Sequence, residues 1–384
     1  MAGKIRVRAY NVRFGDCILL SVDDNGKKRH ALFDFGNAPG KFGTNEGFEQ
    51  IAKDVRSATG GTLDLLVMTH EHLDHMEGFY DQRKIFDQMK VRRVWMSIPS
   101  APDYYQNHPD SKKAMAAMQK MLAHCATTYR QRFRELGAAR PQFEALLLNN
   151  LSNLERVDYV RKLAEKKRVY YLHRGAATTG KHDFQSVKFK ILAPEKEMSL
   201  YYKKAQQLAE GALGFQRAMA PRARRLVAPQ HISQTEFERL RASLQAGEME
   251  ALHHIDKAQN NTSLVVLIKA AGKKLLFPGD AEVESWAMMR EKKQLGPVDF
   301  LKVAHHGSWN GTPEFEGKSV LETLFPASNG KRGVALVSTK SDVYGDVHPV
   351  PDEKTLQLLR KRCQKVVITE EDIPTNKYYV DIPL

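Results

Sequence analysis

Residues 65–75 read Leu-Leu-Val-Met-Thr-His-Glu-His-Leu-Asp-His, and this stretch decides how the rest of the chain is interpreted. The run from Leu65 to Thr69 is typical of a short strand that is buried on both faces. Potential metal ligands follow it at once, namely His70, His72, Asp74 and His75. We therefore expect a metal site at the end of a buried strand.

The spacing within this cluster predicts which ligands face the same cation. His70 and His72 lie just past a strand at positions i and i+2, so both can point toward one cation. The turn beyond them lets Asp74 and His75 face a second cation. Imidazole and carboxylate ligands without a thiolate suit zinc, and they also suit manganese or iron. Two Zn²⁺ ions are therefore the expected cofactor.

The composition is that of a folded globular protein, because 42% of the 384 residues are hydrophobic and 27% are charged. The N-terminus leads directly into a strand-like segment, and no run approaches the roughly 18 apolar residues of a membrane span. We therefore expect a cytoplasmic protein without membrane contact. Cys17, Cys125 and Cys363 are far apart, which predicts neither a disulfide framework nor a thiolate zinc site.

The charge balance indicates an anionic partner. The formal net charge is +14, and a surplus of this size favours nucleic acid, nucleotides or an acidic protein surface. Part of the positive charge is concentrated in Lys203, Lys204, Arg217, Arg222, Arg224 and Arg225. Such a cluster is consistent with a solvated helical face or with a rim that faces phosphate groups.

Hydrophobic patterning predicts two β-rich halves, each covered by helices. Strand-like spacing occurs first at 5–12, 17–22, 30–35, 65–69 and 91–97. A second group of strands is predicted at 169–172, 187–192, 263–269, 274–277, 300–304, 334–338, 365–369 and 377–381. Helical patterns occur at 45–57, 282–292 and 352–362. This arrangement is typical of a layered α/β sandwich.

Two intervals interrupt the pattern, at about 104–168 and 198–251. They contain almost no β-branched runs and are rich in strong helix formers, so we interpret them as large helical insertions. The core then comprises about 1–100 and 169–384. The insertions are also the segments through which a partner protein would dock.

Other predicted strands end in residues that can bind metal. Asp280 closes a late strand, and the pair His305-His306 follows the next one. Asp34 closes an early strand, and we expect it to support the ligand loops through hydrogen bonds rather than to bind metal directly. The sequence alone leaves open which of the two histidine rings points inward. His348 comes later in the chain and is a candidate contact for the substrate or the leaving group.

The cluster at 70–75 matches the His-x-His-x-Asp-His signature of the metallo-β-lactamase superfamily, and the chain resembles that superfamily in the order of its other landmarks. The resemblance implies one domain over 1–384 with an αββα four-layer sandwich. It also implies that Asp280 bridges two metals and that one histidine of His305-His306 completes the second site, with His305 preferred. The metal ligands are then His70, His72, Asp74, His75, Asp280 and His305. The catalytic residues are Asp74, His306 and His348.

A narrower resemblance rests on several short motifs. They are Gly15-Asp16, Asn260-Asn261-Thr262-Ser263-Leu264-Val265, Pro278-Gly279-Asp280, His305-His306-Gly307-Ser308 and His348-Pro349. Together they resemble the ComEC-type metallo-β-lactamase domain, whose members are regarded as candidate nucleases. The superfamily's usual third histidine for the first metal has no clear counterpart, and the candidates are His173, His182, His253 and His254.

Three functions are consistent with these expectations. The first is hydrolysis of phosphodiester bonds by a nuclease or nucleotide phosphodiesterase, in which Asp74 orients the attacking water and Lys302 or His348 assists the leaving oxygen. The second uses the same site on a small ester, thioester, lactone or lactam, since a fold does not determine its substrate. The third is a metal-stabilised interaction module of a multi-protein bacterial system. The basic charge favours the first.

Overall fold

The structure is a computed structural model that describes residues 5–38, 47–136, 141–151, 153–223, 234–327, 330–341, 343, 349–374 and 376–384. The strands are β1 (Ile5–Tyr10), β2 (Ile18–Asp24), β3 (Lys27–Phe33), β4 (Thr62–Leu63), β5 (Leu65–Met68), β6 (Lys90–Val91), β7 (Val94–Ser97), β8 (Val169–Leu172), β9 (Lys188–Ala193), β10 (Val265–Ala270), β11 (Lys273–Phe277), β12 (Phe300–Lys302), β13 (Glu314–Phe315), β14 (Lys318–Ser319), β15 (Val334–Val337), β16 (Lys365–Ile368) and β17 (Tyr379–Pro383). The helices are α1 (Phe48–Ala58), α2 (Leu73–Asp81), α3 (Arg83–Phe86), α4 (Tyr104–Asn107), α5 (Pro109–Leu136), α6 (Pro141–Asn150), α7 (Leu154–Leu163), α8 (Ser199–Ala223), α9 (Gln234–Asn260), α10 (Val283–Glu291), α11 (Val320–Leu324), α12 (Glu353–Arg362) and α13 (Thr369–Asp372). The predicted α/β class is confirmed. Within the described ranges, none of the helices combines the length and apolarity needed to cross a bilayer.

The first sheet has the strand order β17-β1-β2-β3-β5-β7-β8. Its β1, β2 and β3 form an antiparallel meander, and the tight turn between β2 and β3 contains Asn25 and Gly26, with φ of 58° and 82°. Asn-Gly adopts this left-handed conformation readily and therefore favours a two-residue hairpin. From β3 onward, the pairing through β5, β7 and β8 is parallel. These parallel strands therefore end at the same edge of the sheet.

The second sheet has the strand order β16-β15-β12-β11-β10-β9. Strands β9, β10 and β11 are antiparallel, with Ala271 and Gly272 in the turn between β10 and β11 at φ of 46° and 79°. Strands β11, β12, β15 and β16 are parallel. The residues that follow β11 and β12 therefore leave the sheet at one edge.

The main hydrophobic core lies between the two sheets. Phe33 of β3 stacks there on Phe277 of β11, with ring centroids 4.3 Å apart. A second buried cluster joins the other face of the first sheet to α1, α2 and α7. A third joins the other face of the second sheet to α10, α11 and α12. Each sheet therefore has one face against the other sheet and one face covered by helices.

The chain divides into two compact units. Unit 1 comprises Met1–Tyr104, Asn153–Lys196 and Asn260–Leu384, and unit 2 comprises Tyr105–Ser152 and Glu197–Gln259. Helix α7 falls inside the first predicted insertion, yet it belongs to unit 1, because Val157 and Val160 pack into the cluster beside the first sheet. An amphipathic pattern predicts an apolar helix face but not the surface that covers it.

Unit 2 is helical and contains α5, α6, α8 and most of α9. Met118, Met121 and Leu122 of α5 are buried, and their helical spacing places them in one apolar stripe. Glu197 precedes α8 and joins it to the start of α5, because its carboxylate accepts a hydrogen bond from Ser111 and lies 2.7 Å from Nδ1 of His108. Unit 2 is therefore built from both insertions together.

Candidate metal centre

The cluster at 70–75 lies where β5 ends and α2 begins. His70 follows the strand directly, and His72 occupies the N-cap position of the helix. Asp74 and His75 lie in the first turn of α2. All these side chains are buried, and the ring centroid of His70 lies 4.6 Å from that of His72 and 4.2 Å from that of His75. The strand-to-helix turn therefore gathers the predicted ligands into one group.

The second sheet adds two more candidate ligands. Asp280 follows the end of β11, and His306 lies in a short 3₁₀ turn after β12. One ligand atom each of Asp74, His75, Asp280 and His306 lies within 4.8 Å of the others. Nε2 of His75 and Nε2 of His306 each lie 3.1 Å from Oδ2 of Asp280. Nitrogen and oxygen donors from both sheets thus meet in what we call the ligand group, formed by these four residues.

The chemistry of these donors fits a divalent cation. Several buried donor atoms make no hydrogen bond with any residue in the described ranges, namely Nε2 of His70, His75 and His306 and Oδ1 of Asp74. A buried polar atom without a partner is destabilising by about 1–3 kcal/mol. A cation held by imidazole and carboxylate ligands satisfies such atoms, and the lack of a thiolate suits zinc, manganese or iron.

The rings of the two adjacent histidines have different neighbours. Nε2 of His306 lies 3.3 Å from Oδ2 of Asp74, whereas Nδ1 of His305 lies 3.3 Å from Oε1 of Glu282. Both histidines have a left-handed backbone, with φ of 46° and 53°, so the alternation of a strand does not continue through them. His306 therefore lies in the ligand group and His305 beside Glu282. The expectation from the sequence was that His305 binds metal and His306 is catalytic, and the choice of ligand stays a prediction.

The candidates for a third histidine ligand have other surroundings. The ring of His182 packs edge-on against Trp95, with centroids 6.0 Å apart. Nδ1 of His173 lies 2.9 Å from the carbonyl oxygen of the next residue. His253 and His254 belong to α9 in unit 2. His173 and His182 are therefore engaged in contacts of their own.

Asp34 supports the ligand loops through hydrogen bonds, as its place at the end of an early strand predicts. Its Oδ1 accepts a hydrogen bond from the backbone N–H of Thr69 at 2.7 Å, and its Oδ2 accepts one from the Thr69 hydroxyl at 2.8 Å. The same Oδ2 lies 2.9 Å from Nδ1 of His75. A histidine that donates through Nδ1 presents its Nε2 lone pair to a ligand, so Asp34 orients His75 toward Asp280.

A buried ion pair beside the ligand group was not predicted. Nζ of Lys302 contacts Oδ2 of Asp16 and lies 3.2 Å from Oδ1 of Asp280. Each of these side chains is at most 2% exposed. Lys302 thus occupies one oxygen of Asp280 while the other oxygen faces the imidazoles. Asp16 belongs to the Gly15-Asp16 motif, but no local pattern predicts its contact with Lys302.

Burial and neighbouring charges set the protonation of the histidines. Burial opposes the charged form of His306, but the Asp280 carboxylate outweighs it and raises the pKa of His306 to about 9. Burial lowers the pKa of His70 well below its usual value, and the neighbouring His75 and His72 add to this effect. His70 therefore presents a neutral ring, whereas His306 must release a proton when it binds a cation.

Two glycines allow the backbone segments around the site to approach closely. A Cβ on Gly36 would lie 2.1 Å from the carbonyl oxygen of Leu73, and a Cβ on Gly15 would lie 2.6 Å from the carbonyl oxygen of Asp74. That carbonyl of Asp74 accepts a hydrogen bond from the N–H of Asp16 at 3.0 Å. Only a residue without a side chain fits at either position, so both glycines allow the backbone to pack closely around Asp74.

His306 is fixed by its neighbours. The ring of Phe14 packs against it with centroids 4.3 Å apart, and Nδ1 of His306 donates to the carbonyl oxygen of Ser338 at 2.8 Å. These contacts leave Nε2 facing the carboxylates. His348, the remaining predicted catalytic residue, lies outside the described residues.

No protein-family model matches the sequence, and no curated protein matches it either. The family of this chain therefore stays an expectation based on its motifs. The chemical interpretation rests on the side chains that converge at the ends of β5, β11 and β12.

Proposed function

We propose that this chain is a metal-dependent hydrolase of phosphodiester bonds. The observation that carries the proposal is the convergence of Asp74, His75, Asp280 and His306 at one buried point where both sheets end. Donors of this kind hold the divalent cations that assist hydrolysis of esters and phosphodiesters. Two facing sheets with helices on their outer faces support the further proposal that the fold is the metallo-β-lactamase αββα four-layer sandwich.

The ligand group would hold one cation, and His70 with His72 would contribute to a second. Zn²⁺ is the preferred ion, with Mn²⁺ or Fe as alternatives. When bound, such a cation lowers the pKa of a water molecule and offsets charge on a phosphate. Because Lys302 lies 3.2 Å from Oδ1 of Asp280, this carboxylate would bind through Oδ2. Asp280 is then a ligand through one oxygen, with its other oxygen held by Lys302.

Asp74 is the residue we propose to orient the attacking water. Its Oδ1 is buried and makes no hydrogen bond in the part of the chain that the structure describes. Burial raises the pKa of Asp74, but the neighbouring charges of His75 and His306 outweigh burial and hold this pKa below its usual range. An ionised carboxylate in this position accepts a hydrogen bond from water and fixes its direction.

The basic charge of the chain favours a phosphate-containing substrate over a neutral one. The formal net charge of +14 attracts polyanions at low ionic strength. Hydrolysis of a small ester, thioester or lactone, and a role as an interaction module, stay alternatives. Lys302 is buried in its ion pair, so we now assign it to positioning Asp280 rather than to assisting the leaving oxygen.

The test is cleavage of labelled single- and double-stranded DNA and RNA with added Zn²⁺ or Mn²⁺. The wild-type protein is compared with Asp74→Asn and His306→Asn, and His305→Asn is the matched control because its ring faces Glu282. Metal-dependent cleavage that both site variants lose and the control retains would support the proposal. No cleavage by wild-type protein that carries bound metal would refute it.

A further inference from the structure

A row of lysines crosses the outer face of the second sheet, away from the ligand group. Lys269 of β10 stands directly opposite Lys188 of β9 on one side and Lys274 of β11 on the other. Residues directly opposite one another in antiparallel strands point to the same face, and these three side chains are exposed. We call these three residues the lysine row.

A groove of about 240 Å³ adjoins the lysine row. Its charged lining residues are Lys190, Lys269, Lys274 and Lys293, and no acidic side chain among the described residues lines it. Leu267 and other apolar residues form the floor beside the helical layer. None of the lysines of the row or groove forms an ion pair with another described residue. The charged side chains that line the groove are therefore all positive. The carboxylate of Asp299 accepts a hydrogen bond from the backbone N–H of Lys274 at 2.9 Å and lies 3.6 Å from Arg332.

Lysine on β9 protects an edge strand from pairing with another chain, but that role does not account for the lysines opposite it on β10 and β11. Like charges directly opposite each other in a sheet are destabilising. The hairpin of β2 and β3 follows the opposite pattern, since Asp24 lies opposite Lys27 and Asp23 lies opposite Lys28. The lysine row departs from that pattern in the way expected of a surface that binds an anion.

We propose that the lysine row and its groove bind the phosphodiester backbone of a nucleic-acid strand. Neighbouring strands of a sheet lie about 4.8 Å apart, so the row spans about 10 Å and its long side chains can contact successive phosphates. Binding to an anionic membrane surface is strengthened by exposed apolar side chains that enter the lipid. The large exposed apolar residues among those described are Leu154, Leu200, Trp309 and Tyr378, and none of them lines the groove.

The groove is separate from the ligand group. Lys274 lies near the start of β11 and Asp280 follows its end at Phe277, so about 10 Å of strand at 3.3 Å per residue separates Lys274 from that end. This inference rests on the proposed function and deepens it, because it names nucleic acid as the substrate. Binding at the groove needs no hydrolysis, so the two can be tested separately.

The experiment measures binding of a fluorescent single-stranded oligonucleotide in EDTA over a range of NaCl concentrations. The test protein is Lys188→Gln/Lys269→Gln/Lys274→Gln. The matched control changes the net charge equally at scattered exposed positions, as Lys84→Gln/Lys354→Gln/Lys377→Gln. We expect the slope of log K against log salt to become shallower by about 2 for the test protein, since each lost phosphate contact contributes about 0.7. The control should keep the wild-type slope.

Other results would overturn the inference. These are an unchanged slope in the test protein, an equal change in the control, or no binding of the oligonucleotide by wild-type protein. Binding to phosphatidylglycerol vesicles that depends on the lysine row, without a change in oligonucleotide binding, would assign the groove to membranes instead. Thermal melting of the test protein guards against unfolding, and we expect no loss of stability because the substitutions remove repulsion.

Catalysis distinguishes this inference from the proposed function. Hydrolysis of bis-p-nitrophenyl phosphate, which is too small to reach the groove, should be the same in the test protein and wild type. Hydrolysis of a long oligonucleotide should show a higher KM with an unchanged kcat. If wild-type protein binds nucleic acid through the lysine row but hydrolyses neither substrate, the binding role of the groove is supported and the proposed function is refuted.

Discussion

The ammonium group of Lys302 lies 3.2 Å from Oδ1 of Asp280, and the same nitrogen contacts Asp16. Burial opposes the charge on this lysine, but the two carboxylates outweigh it and raise the pKa of Lys302 above its usual value. The lysine is therefore a fixed positive charge beside the ligand group. It gives both buried carboxylates a partner and directs Oδ2 of Asp280 toward the histidines.

Replacement of Lys302 with Met is expected to lower the free energy of unfolding by about 3–5 kcal/mol, because it leaves Asp16 and Asp280 buried beside each other without their cation. Urea denaturation in EDTA measures this loss. The double variant Lys302→Met/Asp16→Asn removes one of the two stranded charges and should recover part of the stability. If Lys302→Met alone is as stable as wild type, the ion pair of Lys302 with the two carboxylates does not stabilise the protein by this amount.

Replacement of His306 with Asn is expected to weaken zinc binding by more than about 100-fold, because loss of a residue that merely orients a ligand already weakens it by 10–100-fold. His305→Asn should bind zinc as wild type does, since His305 faces Glu282. Titration against a competing chelator gives both affinities. If His305→Asn weakens zinc binding and His306→Asn does not, His305 is the ligand.

Replacement of Gly36 with Ala is expected to destabilise the protein by about 1–3 kcal/mol and to weaken metal binding, because the added Cβ would meet the carbonyl oxygen of Leu73 at 2.1 Å. Gly296→Ala is the control, since no atom lies within 4 Å of a Cβ built there. The control should change stability by less than about 0.5 kcal/mol. Thermal melting and metal content are measured on both. Equal effects in the two variants would contradict the steric argument.

The stability of the metal-free protein should fall in mild acid because of His30. Burial lowers the pKa of His30 to about 4, whereas the unfolded chain binds this proton near pH 6.5. The unfolded state therefore gains the proton first as the pH falls, and stability declines between about pH 6.5 and pH 4, by up to about 3 kcal/mol. Urea denaturation in EDTA at several pH values should show a smaller decline for His30→Gln. A decline as steep in the variant as in wild type would exclude His30 as its cause.

The sequence predicted the α/β class because burial follows simple periods. The helical pattern at 282–292 corresponds to α10 (Val283–Glu291), and the strand pattern at 187–192 corresponds to β9 (Lys188–Ala193). The period of a pattern does not say which strands pair, so the order of strands in both sheets required the structure. The superfamily of the fold stays a prediction.

The sequence located the ligand-rich segments but not their orientation. His305 and His306 both have a left-handed backbone, which is rare for two successive residues other than glycine. The alternation of side chains along a strand therefore did not predict which ring turns inward. The contact of Lys302 with Asp16 joins residues far apart in the chain, which no local pattern reveals. The assignment of metal ligands and catalytic residues stays a prediction.

The composite origin of unit 2 has a consequence for biosynthesis. Helix α5 packs against α8, which leaves the ribosome well after it, so the apolar side of α5 is not covered until α8 has been synthesised. Deletion of either insertion alone would expose the apolar side of the other. The two insertions are therefore expected to be gained and lost as a pair in the evolution of this chain.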